Sequence, residues 1–212
     1  LWDDGNGNHG WNTANGSSDI SPVYKSDGTA LKDTAHGSNV AGIIGMASNG
    51  SNFVGAAFGA ELMLLRVANG EATNKDTTLI TSAAVANAVV YARRHKANVI
   101  SMSLSIAGIY PTAIKNAIND AYADSIVIGV MASGQTDRYT LTDFSNYDEH
   151  SGQYYDIAAP GYAIIGCGTE SGKFTVMAGT SQSTPLVASC IALYRSVYPN
   201  QTVDKVYNSL RN

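Results

Sequence analysis

The sequence predicts an α/β fold, a three-layer sandwich in which a central, mainly parallel sheet is flanked by helices on both faces. Two observations lead to this prediction. Apolar runs typical of buried strands alternate along the chain with segments of helical spacing. The strand-like runs are apolar on both faces, which is typical of parallel strands covered on two sides. A length of 212 residues with 44% hydrophobic content fits one domain with a sizeable core.

The elements follow one another regularly after an irregular start. Residues 1–35 are rich in Gly, Asn, Asp and Ser and predict turns rather than helices or strands. Helical spacing then begins at Val40, and Pro111 is placed to open a later helix. The predicted succession is a helix over 40–47, a strand over 61–67, a helix over 80–92, a strand over 98–104, a helix over 114–121 and a strand over 126–132.

The last third of the chain predicts shorter strands and two helices. Strand-like runs at 154–159, 162–167 and 173–179 come first, and a Thr-Glu-Ser-Gly turn between the last two predicts a hairpin. A helix is expected over 185–198. A short amphipathic helix with Thr202 as its cap follows it.

Composition narrows the possible partners and location. A formal net charge of -4 gives no broad basic surface, so nucleic acid and anionic membranes are not expected as partners. The apolar runs are too short to span a membrane. Low charge and three glycosylation sequons favour an extracellular or exported protein. The sequons begin at Asn15, Asn49 and Asn200. Cys167 and Cys190 match no zinc pattern, and whether they pair is left open.

One serine lies where a helix is expected to begin. Ser181 belongs to GTSQSTPLVAS, in which a Gly-Thr-Ser turn precedes an apolar helix with Pro185 near its start. A serine in this place is an ordinary helix cap. It is also well placed for a nucleophile, because the N–H groups and the dipole of a helix start stabilise an anion. His36, in the first turn of an earlier helix, is the candidate base.

Two motifs resemble those of the subtilisin-like serine proteases, the subtilases. HGSNVAG (36–42) resembles the family motif HGTHVAG, and GTSQSTPLVAS (179–189) resembles GTSMATPHVAG. Segments between them are similar in the same order, including DIAAPG (156–161). The resemblance implies a single subtilase-like catalytic domain over 1–212. It further implies hydrolysis of a polypeptide substrate through an acyl-enzyme on Ser181, with His36 as general base.

The resemblance also implies where the oxyanion and the substrate bind. Gln135 stands where the family has the asparagine that donates to the oxyanion. Ser105 and Ile106 stand where the family has glycines that let a substrate strand pair closely, so side chains narrow the predicted cleft. The substrate-binding candidates are Ser103, Leu104, Ser105, Ile106, Ala132, Ser133 and Gly134.

The chain departs from the family pattern at its beginning. The family's catalytic aspartate lies on a strand before the segment that Leu1 begins, so the chain is expected to be the larger part of a longer protein. The aspartate then comes from an N-terminal fragment or partner, or catalysis is crippled, since loss of this orienting group costs about 10⁴ in turnover in serine proteases. An active endopeptidase and an inactive homologue with a binding or structural role both stay open, and an unrelated α/β binding protein is a third alternative.

Two further predictions concern support and metal binding. Asn39 and Gln182 replace a histidine and a methionine of the family motifs and are interpreted as packing positions. The expected reaction needs no cofactor. Calcium is considered because the turn DDGNG offers the carboxylates of Asp3 and Asp4, although turn formation explains the same residues.

Overall fold

The computed structural model describes residues 1–22, 24, 34–48, 50, 52–69, 79–104, 111–124, 126–130, 133–135, 157–170 and 172–211. The helices in these ranges are α1 (Thr34–Gly45), α2 (Ser82–Arg94), α3 (Thr112–Ala123), α4 (Thr180–Val197) and α5 (Val203–Arg211). The strands are β1 (Gly10–Asn12), β2 (Leu64–Arg66), β3 (Ala68–Asn69), β4 (Leu79–Ile80), β5 (Val99–Met102), β6 (Val127–Val130), β7 (Ser133–Gln135), β8 (Ala158–Pro160), β9 (Ile164–Cys167) and β10 (Phe174–Met177).

Strand β5 shows how the layers are arranged. It pairs in parallel with β6, Ile100 opposite Ile128. Because side chains alternate along a strand, Ile100 joins the apolar cluster of α2 and α3 while Val99 packs against the cluster of α4 and α5. The strand is therefore covered on both faces, and the α/β prediction is confirmed. Within the described residues the pairs β1–β2, β5–β6 and β7–β8 are parallel, and β3–β4 and β9–β10 are antiparallel.

Helices α2 and α3 form an almost wholly apolar layer. Their buried residues are mainly alanine, isoleucine and valine, and Ile114 is 0% exposed. Thr81 caps α2 by accepting a hydrogen bond from the backbone N–H of Ala84 at 3.1 Å. Pro111 caps α3 with a φ of -62°, so its prediction as the opening residue is confirmed.

Helix α1 lies on the β9–β10 hairpin, whose two strands pair antiparallel as the sequence predicts. The helix approaches the hairpin so closely that a Cβ on Gly166 would lie 2.3 Å from the carbonyl oxygen of Asn39. Only glycine fits there. On the following strand residue, Cys167 is half-buried and free, whereas Cys190 on α4 is exposed and free, so the two cysteines do not pair in this structure.

The structure differs from the predictions in several places. Ile80, the first residue of the helix predicted over 80–92, lies in the short strand β4, and α2 begins at Ser82. The first 35 residues are not wholly irregular, because β1 pairs in parallel with β2, and a Cβ on Gly10 would lie 1.8 Å from the carbonyl oxygen of Leu64. Helix α4 begins at Thr180, five residues before the predicted start at Pro185. Pro185 therefore lies inside the helix rather than at its opening. The predicted strand over 154–159 appears as β8, and residues 151–156 lie outside the described part.

In the part of the chain that the structure describes, none of the helices has the length and apolar character needed to span a membrane.

Candidate active site

Ser181 is the second residue of α4, and Gly179 is the N-cap, with no side-chain cap bond. The interpretation of Ser181 as the helix cap is therefore wrong. Because proline has no N–H, Pro185 cannot make the usual helical bond to the carbonyl four residues earlier, which belongs to Ser181. The hydroxyl of Ser103 donates to that carbonyl instead, at 2.9 Å. The residue that follows β5 thus holds the backbone of the candidate nucleophile.

His36 is the third residue of α1 and is half-buried. One turn later on the same helix, Asn39 is completely buried. Its Oδ1 accepts a hydrogen bond from Nε2 of Gln182 at 3.2 Å. Gln182 follows Ser181 directly, so a buried hydrogen bond joins the starts of the two helices that carry the candidate base and the candidate nucleophile.

The backbone of Gln135 lies at the same end of the molecule. Gln135 is the last residue of β7 and stands opposite Pro160 in the parallel ladder with β8. Gly161, which follows Pro160, accepts a hydrogen bond at its carbonyl from the backbone N–H of Gly179 at 2.7 Å. Since Gly179 is two residues before Ser181, the carboxyl ends of β7 and β8 meet the start of α4, the edge at which α/β folds usually bind ligands. The side chain of Gln135 is outside the described part.

The remaining substrate-binding candidates are described only in part. Leu104 is half-buried and packs against the α2–α3 cluster. The backbones of Ser133 and Gly134 pair with β8. Ser105, Ile106 and Ala132 lie outside the described residues, so their predicted role in the cleft stays a prediction.

Asn39 and Gln182 are both buried, as expected of packing positions. Each also makes a directed hydrogen bond that was not predicted from the sequence: Gln182 donates to Asn39, and Nδ2 of Asn39 donates to the carbonyl of Thr175 on β10 at 2.9 Å. The sequence signal for this was two carboxamides placed in helices at positions expected to face the interior. Buried carboxamides need partners, and these two are 143 residues apart in sequence.

Asp3 and Asp4 bind their own turn. Oδ1 of Asp3 accepts from the N–H of Gly5 at 2.7 Å, and Oδ1 of Asp4 accepts from the N–H of Asn6 at 2.8 Å. The side-chain amide of Asn8 donates to Oδ2 of Asp4 at 2.9 Å. This bond, with the Asn6 N–H next in importance, lowers the pKa of Asp4 to about 2. Among the residues that the structure describes, no three His, Cys, Asp or Glu side chains are grouped so that they could hold a metal ion.

Known proteins resemble this chain over most of its length. The model of the Subtilase family matches residues 4–138 and 110–212. An extracellular serine proteinase of Thermus sp. (strain Rt41A) is 32% identical over 205 residues, 86% of this chain and 46% of the relative. An intracellular serine protease of Paenibacillus polymyxa is 28% identical over 193 residues, 81% of this chain and 57% of the relative. The chain spans about half the length of these curated relatives.

Solved structures share the fold. The crystal structure of a cold adapted subtilisin-like serine proteinase aligns with a TM-score of 0.75 at 22% identity, covering 95% of this chain and 72% of that one. A protease from Pseudoalteromonas arctica aligns with the same TM-score at 23% identity, covering 95% of this chain and 75% of that one. The α/β architecture is therefore that of subtilisin-like proteases.

Proposed function

Because this chain belongs to the subtilase family, we propose that it is the larger part of a subtilisin-like serine endopeptidase. Ser181 is the proposed nucleophile and His36 the proposed general base. The observation that carries the proposal is the hydrogen-bonded junction of α1 and α4, which links Asn39, one turn after His36, to Gln182, the neighbour of Ser181.

The proposed reaction is acyl transfer to water. His36 takes the proton of the Ser181 hydroxyl as its oxygen attacks the scissile carbonyl, and returns that proton to the leaving amine. Water, deprotonated by His36, then attacks the acyl group on Ser181, and the acid product leaves as the Ser181 hydroxyl regains its proton. The start of α4 is suited to the negative charge that develops, since helix N-termini present N–H groups and a positive dipole end.

Two donors are proposed for the oxyanion. The backbone N–H of Ser181 is one, and the side-chain amide of Gln135 is the other. Glutamine has one more methylene than the asparagine of the family pattern, so its amide must fold back to reach the same place. Loss of a donor of this kind raises the barrier by about 3 kcal/mol.

The orienting carboxylate, the substrate and the location belong to the same proposal. We place the carboxylate on a segment outside residues 1–212, either upstream or on a partner fragment, following the family resemblance. The substrate is a polypeptide, no cofactor takes part in the proposed steps, and calcium at Asp3 and Asp4 stays a prediction. Export is supported by an extracellular relative such as the Thermus proteinase.

The proposal is tested with a fluorophosphonate, which labels an activated serine covalently. The chain is compared with its Ser181→Ala and His36→Ala variants, alone and in a longer chain that includes the upstream strand. We expect labelling that both substitutions abolish and that is faster in the longer chain. Ser183→Ala, a buried serine two residues further along α4, is the matched control and keeps its labelling. Absence of labelling even in the longer chain overturns the proposal and leaves an inactive homologue with a binding or structural role.

A further inference from the structure

We propose that Asn39 and Gln182 are positioning residues, whose carboxamide pair sets how the helix of His36 meets the helix of Ser181. This inference rests on the proposed function, because it assigns the pair a role in that same site. The pair is distinct from the residues proposed to touch the substrate.

The pair is sealed from water on both sides. Asn39 is 0% exposed and Gln182 is 2% exposed. In such surroundings an amide without a partner costs about 1–3 kcal/mol, so each side chain constrains where the other can lie. Nε2 of Gln182 donates to Oδ1 of Asn39 at 3.2 Å and also lies 3.8 Å from Sδ of Met177.

The hydrogen bonds continue into the hairpin. Asn39 accepts from Gln182 with its oxygen and donates to the carbonyl of Thr175 with its nitrogen. Three elements, α4, α1 and β10, are thereby fixed relative to one another through one side chain. A methionine and an aliphatic residue would fill a similar volume, but they would not set a direction.

Asn39 and Gln182 are close enough to His36 and Ser181 for a shift of the pair to move these two residues relative to each other. His36 precedes Asn39 by three residues, about 4.5 Å along the helix axis. On the other helix, Oε1 of Gln182 packs against the turn before Ser181, since a Cβ on Gly179 would lie 3.1 Å from that oxygen. A displacement of about 1 Å between nucleophile and base costs roughly 100-fold in rate, so a small slide of α1 on α4 has a large effect.

A double-mutant cycle separates positioning from packing. The variants are Asn39→Leu, Gln182→Met and the double variant. Each single substitution removes the hydrogen bond between the two side chains and leaves one amide of the pair without its partner, so both stability and the rate of fluorophosphonate labelling fall. The double variant contains neither amide, which removes that penalty, but the carbonyl of Thr175 still lacks the donor that Asn39 supplies. We therefore expect its stability to recover in part while its labelling stays roughly 10- to 100-fold slow.

Ser189→Ala is the matched control. Ser189 is also buried on α4 and donates to the carbonyl of Pro185 at 2.8 Å, but it lies two turns after the start of the helix. We expect this variant to lose stability with no change in labelling rate. Recovery of both stability and labelling in the double variant would mean that the pair only packs, and would overturn the inference.

Failure of the proposed function is recognised separately. If the unsubstituted longer chain is not labelled, crystal structures of that chain and of the double variant decide the matter by the distance between Nε2 of His36 and Oγ of Ser181. An increase of more than about 0.5 Å in the double variant supports the positioning role, since productive sites are held within about that tolerance. An unchanged distance overturns it.

Discussion

The two helical layers of this protein bury different kinds of side chain. The α2–α3 layer buries alanine, isoleucine and valine side chains. The junction of α1 and α4 buries a hydrogen-bonded polar pair instead, Asn39 and Gln182. Apolar burial is nondirectional and stabilises the layer, whereas each buried hydrogen bond requires a particular geometry. The α2–α3 layer thus contributes mainly apolar burial, whereas the hydrogen-bonded pair at the α1–α4 junction fixes the relative position of its two helices.

The largest expected effect on stability comes from breaking the apolar layer. Ile114 is completely buried in the α2–α3 cluster, so Ile114→Ala is expected to lower the free energy of unfolding by about 2–5 kcal/mol, since it loses transfer energy and leaves a cavity. Denaturant unfolding measures this. The labelling rate of the folded fraction should not change.

Ile114→Val is the graded control, with an expected loss of about 0.5–1.5 kcal/mol. If folded Ile114→Ala protein were labelled more slowly in proportion to its lost stability, the division of roles between the two layers would be wrong.

A smaller effect on stability is expected at Ser103, whose hydroxyl bonds to the start of α4. Ser103→Ala removes the hydroxyl that donates to the carbonyl of Ser181, where Pro185 supplies no N–H. We expect a loss of about 0.5–1.5 kcal/mol in stability and, because the backbone of Ser181 is less well held, a slower labelling rate. Unfolding and labelling are measured on the same preparation.

Repeating the Ser103→Ala substitution in a Pro185→Ala variant tests whether the missing N–H of Pro185 is the reason for the effect. Pro185→Ala supplies the N–H that a helix normally offers to this carbonyl, so Ser103→Ala should cost less when Pro185 is already replaced. An equal cost in both backgrounds would show that the Ser103 hydroxyl acts in some other way.

The sequence predicts the apolar layer better than the polar junction. Periodicity of apolar residues places α2 and α3 because that signal is local, and Pro111 marks the start of α3. The start of α4 is misplaced because Pro185 looks like an opening residue, while its tolerance inside the helix depends on Ser103, 78 residues from the carbonyl it binds. The bond between Asn39 and Gln182 is equally nonlocal. The candidate base and nucleophile come instead from motif resemblance, because chemistry restricts residue type at those positions.

The smallest expected effect lies in the Asp4 turn, near the surface and outside both layers. The pKa of Asp4 is lowered to about 2, first by the side-chain amide of Asn8 and then by the N–H of Asn6. A lowered folded-state pKa means that the contribution of Asp4 to stability is present above the ordinary value of 3.8 and is lost as the pH falls through about 2. Asn8→Ala should move the pKa of Asp4 back toward its ordinary value, as followed by carbon NMR of the carboxyl group. Asn6→Ala, which keeps its backbone donor, should move it less. An unchanged pKa in Asn8→Ala would mean that backbone N–H groups alone hold the carboxylate of Asp4. The turn would then differ from the α1–α4 junction, where two side chains bond to each other.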